Sequence, residues 1–231
     1  MRHIKLYEDW KFYMNESLIG QTDTPGELKV ISPSASGKYQ YFHIEIKNPT
    51  MPFESFKKDF MAHPQKYLSN DKSTFHHPTD GKGNKLPGLK EGAFIEIEIA
   101  GVMSVYVKAT KAYISDSGTL HATFVTLEGH VEKGYINFAA SMTGDEFKFA
   151  ISSYSETNSL APERFAREEQ KESWTSMLKK LPKLIGGSAS APIFSQTPPK
   201  QGKTFADIRK ASETGEIIIA QNKLKKPRGQ A

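Results

Sequence analysis

Between Phe94 and Ile151 the chain alternates apolar and polar residues almost without a break, and this run limits the possible folds more than any other feature. Ile95, Ile97 and Ile99 oppose Phe94, Glu96 and Glu98, and Gly101 leaves room only for a tight turn before Met103, Val105, Val107 and Ala109. Leu120, Ala122 and Phe124 oppose His121, Thr123 and Val125, while Ile136, Phe138, Ala140 and Met142 oppose Tyr135, Asn137 and Ser141. Phe147, Phe149 and Ile151 follow the turn Thr143-Gly144-Asp145. Side chains along a strand point to alternate faces, so each run predicts a strand with one apolar face. Connections this short join antiparallel neighbours, because a parallel crossover needs about a dozen residues. The expectation is a five-stranded antiparallel meander whose apolar face must be covered by another element.

Candidates for that cover lie on either side. Tyr39 to Lys47 reads as a half-buried strand, with Phe42, Ile44 and Ile46 inward and Tyr41, His43 and Glu45 outward. After Asn48-Pro49-Thr50, residues 52–68 carry Phe53, Phe56, Phe60 and Met61 at helical spacing, with Pro64 placed to break or kink the helix. The connection over 69–91 is long and polar. Its His76-His77 pair invites a metal reading, but structural zinc sites take four ligands and no further ligand stands at suitable spacing, so no metal site is assigned. Beyond the meander, Asn158 or Ser159 suits a cap and Pro162 a first turn. Ala166, Gln170, Ser173, Trp174, Met177, Leu178 and Leu181 then form one face of a long helix over 162–184, which Pro182 and Gly186-Gly187 should stop.

The polar turn Thr126-Leu127-Glu128-Gly129-His130-Val131-Glu132-Lys133-Gly134 interrupts the meander and is the leading candidate for function. Gly129 and Gly134 give it backbone freedom. His130 near Glu132 suits orienting a proton transfer, holding a polar ligand group or contributing to a metal site. The same residues also suit a loop that does no more than fix hairpin register.

Composition bounds the remainder. There is no cysteine, which excludes disulfides, thiolate metal sites and cysteine nucleophiles. With 37% hydrophobic residues, 13 Pro and 17 Gly, part of the length is expected outside the packed unit. Of the formal charge of +5, all can be assigned to the region after Leu184, where eight Lys and Arg face Asp207, Glu213 and Glu216. The reading divides the chain into an extension over 1–37, with a candidate edge strand at Leu28 to Ile31, a domain over 38–184, and a largely disordered basic tail over 185–231. Ile217, Ile218 and Ile219 are the tail's one apolar cluster and a candidate for pairing back through residues 215–221. The first ten residues lack a secretory pattern and no apolar run is long enough to span a bilayer, so a cytoplasmic location is expected.

The order strand, helix, long connection, antiparallel meander and long carboxyl-terminal helix, over about 38–184, resembles the helix-grip domains of the START and Bet v 1-like superfamily. The resemblance implies an α+β fold in which a curved antiparallel sheet wraps around the last helix, with a cavity between. Within that group, the Thr-Leu-x-Gly-His-x-Glu-x-Gly core at 126–134, with Phe138 and Ser153-Tyr154-Ser155, resembles a family of small bacterial and plant domains that brings no established activity with it. The leading expectation is a noncatalytic domain binding a small apolar or amphipathic ligand without a cofactor. Thr126, Gly129, His130, Glu132, Tyr106, Phe124, Phe138, Phe149 and Trp174 are the candidate ligand residues. Two alternatives remain: a helix-grip hydrolase or cyclase with His130 as base and Glu132 orienting it, and an interaction protein whose Lys223, Lys225, Lys226 and Arg228 meet an anionic partner. Oligomeric state is not legible from the sequence.

Overall fold

A computed structural model describes residues 24–33, 37–99, 101, 103–157 and 163–197, with the side chains of 163–166 and 197 excepted. The strands are β1 (Lys38–Lys47), β2 (Ser73–Phe75), β3 (Phe94–Ile99), β4 (Met103–Ile114), β5 (Leu120–Thr126), β6 (Glu132–Thr143), β7 (Glu146–Thr157), β8 (Ser188–Ala189) and β9 (Ile193–Thr197). The helices are α1 (Phe53–Ala62), α2 (Pro64–Leu68) and α3 (Glu163–Ile185). All strands join one antiparallel sheet in the order β2-β3-β4-β5-β6-β7-β1, with β8 and β9 both paired to the free side of β1.

The five alternating runs each form a strand, and their apolar faces meet in one core. Phe42, Ile44, Phe124, Phe138, Phe147, Phe149 and Ile151 from the sheet pack with Phe56, Phe60, Tyr67 and Leu68 from α1 and α2, and with Trp174, Met177, Leu178 and Leu181 from α3. Each such large side chain, once buried, contributes about 1.5–3 kcal/mol. The sheet curves around α3, as shown by contacts from the helix to both edges. Trp174 lies 6.3 Å from the ring of Phe75 on β2, and Lys171 Nζ sits 4.9 Å from the Phe194 ring centre on β9.

Three elements depart from the sequence reading. β4 runs on to Ile114 because a bulge between Ala109 and Lys111 slips the register by one, which breaks the alternation at Thr110 without ending the strand. Within the 69–91 connection, Ser73–Phe75 adds an edge strand to β3. Pro182 does not stop α3, since a proline near a helix end forfeits little more than its own N–H bond. The helix ends at Gly186 and Gly187, whose φ values of 77° and 91° only glycine adopts without strain. Thr50 Oγ1 and the Met51 N–H both donate to the Ile185 carbonyl there, tying the end of α3 to the loop after β1.

The tail expected from residue 185 also needs correction. Residues 188–197 supply β8 and β9, with Phe194 opposite Phe42 and their rings 4.7 Å apart. The remainder, including Ile217 to Ile219 and the cluster Lys223, Lys225, Lys226 and Arg228, lies outside the described residues, as do Asn158 to Pro162 and residues 1–23. From the amino-terminal region, Val30 bridges Leu127, the Ile31 N–H donates to the Thr126 carbonyl, and the Gly26 N–H donates to Gly81. The strand foreseen at Leu28 to Ile31 is thus reduced to a single bridge.

A further difference concerns the sheet's other face. β1 and β5 are not half-buried: Tyr41 is 0% and His43 2% exposed, and all seven residues of β5 are buried. Tyr39, Tyr41, Val125, Tyr135, Ala150 and Tyr154 form a second apolar cluster there, turned away from α3.

Candidate functional site

The turn after β5 is fixed by its own polar atoms. The Gly134 N–H donates to Thr126 Oγ1 at 2.8 Å, and that hydroxyl lies 3.2 Å from the Gly134 carbonyl and 3.3 Å from the Ile31 carbonyl as alternative acceptors. The Leu127 N–H donates to Tyr106 and the Glu128 N–H to Lys29, both to backbone carbonyls. Gly129 has φ 88°, so its glycine is conformational. Gly134 has a different reason, since a Cβ there would lie 2.3 Å from the Tyr154 carbonyl oxygen on β7.

His130 and Glu132 divide their roles. His130 Nδ1 lies 3.0 Å from the Glu132 amide nitrogen and 3.1 Å from the Glu132 carbonyl, so it accepts from the one or donates to the other according to its tautomer. Burial of the ring lowers its pKa to about 4, outweighing the opposing bond with the Glu132 backbone. Glu132 is 7% exposed and lies on the face of β6 that carries Ile136 and Phe138, toward α3. Its Oε2 accepts from Ser155 Oγ at 3.1 Å and from Gln170 Nε2 at 2.5 Å, and its Oε1 lies 3.4 Å from Arg167 Nη1. Arg167 Nη1 also donates to Ser155 Oγ at 2.8 Å and Gln170 Oε1 at 3.3 Å, and Nη2 donates to the Ser155 carbonyl. Burial pushes the Glu132 carboxyl up, while Arg167, Ser155 and Gln170 hold it down.

This is a closed polar knot between β6, β7 and α3, set beside an aromatic wall. Phe138 lies 5.9 Å from Phe124, 6.3 Å from Phe149 and 5.6 Å from Trp174. The structure therefore brings Glu132, Phe124, Phe138, Phe149 and Trp174 to one face, with Thr126, Gly129 and His130 shaping the adjoining turn. Tyr106 is not brought to that face. It alternates with the buried Val105 and Val107 and stands on the far side of β4.

Arg167, Ser155 and Gln170 were not singled out as a site by the sequence reading, although Gln170 was placed on the helix face. The signal was present in spacing, since Arg167 precedes Gln170 by three residues and Trp174 by seven and so shares their face. Elsewhere, His77 Nε2 lies 2.6 Å from the Leu86 carbonyl while His76 faces Glu98 at 3.8 Å, so the adjacent histidines diverge. Among the described residues no group of three or more His, Asp or Glu is placed to hold a metal ion. No helix among them is long and apolar enough to cross a membrane.

No family model matches the sequence, and no curated protein matches it. Solved structures that are similar include a START superfamily protein from Mycobacterium smegmatis, at 9% identity over 64% of this chain and 97% of that one, with a TM-score of 0.44. Ara h 8.0201 is similar at 12% identity over 63% of this chain and 97% of its own, with a TM-score of 0.40. Ginseng major latex-like protein 151 from Panax ginseng gives 10%, 64%, 98% and 0.40 for the same quantities. The fold is a helix grip. Its defining features are present in this chain's own topology: one curved antiparallel sheet closing on one long helix that follows the meander. The narrower likeness of the 126–134 core rests on the residues of that core alone.

Proposed function

We propose that this helix grip is a noncatalytic binding domain that holds a small amphipathic ligand between the sheet and α3. One observation carries the reading: a buried charged and amide cluster, Glu132, Arg167, Gln170 and Ser155, sits at one end of an otherwise aromatic and aliphatic interface between sheet and helix. Binding sites for small molecules are mostly apolar with a few convergent polar groups, and a fold that served only stability gains little from burying an ion pair in this position. His130 supports the turn through its bond with the Glu132 backbone, and the Glu132 carboxylate is occupied by three donors, which suits binding better than proton transfer. Fluorescence titration of the full chain with an anilinonaphthalene sulfonate dye tests this. A saturable, blue-shifted signal that a medium-chain amphiphile displaces is the expected result. Absence of both dye and amphiphile binding at tens of micromolar overturns the reading.

A further inference from the structure

Next to the ion-paired knot, the same face of the sheet carries buried polar atoms that the protein leaves without partners. Gln40 on β1 is 0% exposed, and neither its Nε2 nor its Oε1 has a hydrogen-bond partner. Ser153, its register partner on β7, is 2% exposed and its Oγ is likewise unsatisfied. Gln40 stands two residues from Phe42 and Ser153 two from Ile151, so both share the face turned to α3. From the helix, Trp174 is 9% exposed, packs on Phe138 and leaves its indole Nε1 without an acceptor. Phe138 on β6 is the register partner of Ile151, two residues before Ser153 on β7, so Trp174 covers the sheet beside that position.

Leaving such groups unmade is expensive, about 1–3 kcal/mol for each buried donor or acceptor. Three residues bearing them between the sheet and the helix that covers it, two of them direct register partners, describe a place built to be completed by something else. The inventory also states what completes it. Gln40 offers a donor and an acceptor, Ser153 offers both, and Trp174 offers a donor. None is charged. The charged pair nearby is already matched, with Arg167 set on Glu132 and Ser155, so a carboxylate or ammonium entering here would bring a charge with no free counter-charge to meet it.

We propose that Gln40, Ser153 and Trp174 form the subsite for the ligand's polar group, and that this group is neutral and both donates and accepts, as a carboxamide or lactam does. The proposal rests on the ligand-binding reading and narrows it to a chemical class.

A matched series of decanamide, decanoate and decylamine, each competed against the same naphthalene sulfonate dye on the full chain, tests the class. Decanamide is expected to displace the dye about tenfold more effectively than either charged analogue, and Gln40→Leu to reduce that advantage, read as a ratio within the variant, to about twofold or less. Ser153→Ala gives a second reading should Gln40→Leu fail to fold, with an expected partial loss of the same advantage. Three equal affinities in the wild-type chain, or a preference for decanoate, overturn the subsite while leaving the binding domain intact. Failure of all three to displace, together with failure of the dye to bind, overturns both.

Discussion

Gly134, His130 and Arg167 each make a claim that a single substitution checks. A Cβ at Gly134 would meet the Tyr154 carbonyl at 2.3 Å and Ser155 Cβ at 2.7 Å, both held by the β6–β7 ladder. Gly134→Ala is therefore expected to lower stability by about 1–3 kcal/mol, read as a fall in urea midpoint. Arg167→Met leaves the Glu132 carboxylate buried without its cation and should cost about 3–5 kcal/mol, whereas adding Glu132→Gln should recover a large part of that loss. For His130, the folded imidazole binds its proton more weakly than the unfolded one, with a pKa near 4 against an ordinary value of 6.5. The unfolded chain takes up more protons in that window, so stability falls as pH drops from about 6.5 toward 4, by up to about 3 kcal/mol. Glu132, raised in the folded state, works in the opposite sense, because the native chain there holds its proton more tightly. Denaturant midpoints at pH 7 and 4.5 for wild type and His130→Gln isolate the histidine's share; parallel losses in the two proteins would refute it. The sequence singled out this turn but not its partners. Arginine is mostly a surface residue, so Arg167 in a charged stretch beside Glu168 and Glu169 reads as solvated until the helix is placed on the sheet.

Strands were legible wherever the alternation was unbroken, because a period of two leaves little freedom in which face is buried. β4 became illegible at its bulge, where one extra residue shifts the pattern by half a period. β9 escaped for another reason: its five residues lie between Pro192 and Pro198 and mix apolar with polar side chains, so composition pointed to a tail. Its place follows from β1, a long strand whose free edge would otherwise present unpaired backbone groups. Phe194→Ala should cost about 2 kcal/mol and lower the melting temperature by several degrees, since the ring packs against the buried Phe42. An unchanged melting temperature would mean that β9 is not part of the folded unit. The ends of α3 show the same contrast, with Gly186 and Gly187 readable as a stop and Pro182 mistaken for one.

At the scale of the whole molecule, the helix grip was visible in the order of elements, whereas the burial of the sheet's second face was not. Alternation says which residues share a face, but not whether the polar-looking face is wet. On that second face Tyr41, Tyr135 and Tyr154 read equally well as exposed aromatics or as a covered layer. On the inner face the aromatic wall, the Glu132–Arg167 knot and the unsatisfied Gln40, Ser153 and Trp174 make a gradient from apolar to polar between sheet and α3. The central claim is that this gradient holds a ligand. Native mass spectrometry of the purified full-length chain, followed by denaturing extraction, tests it most directly. A complex heavier than the chain by one discrete small-molecule mass, released on denaturation, is the expected result; a spectrum showing only the bare chain, with nothing recovered in the extract, would contradict it.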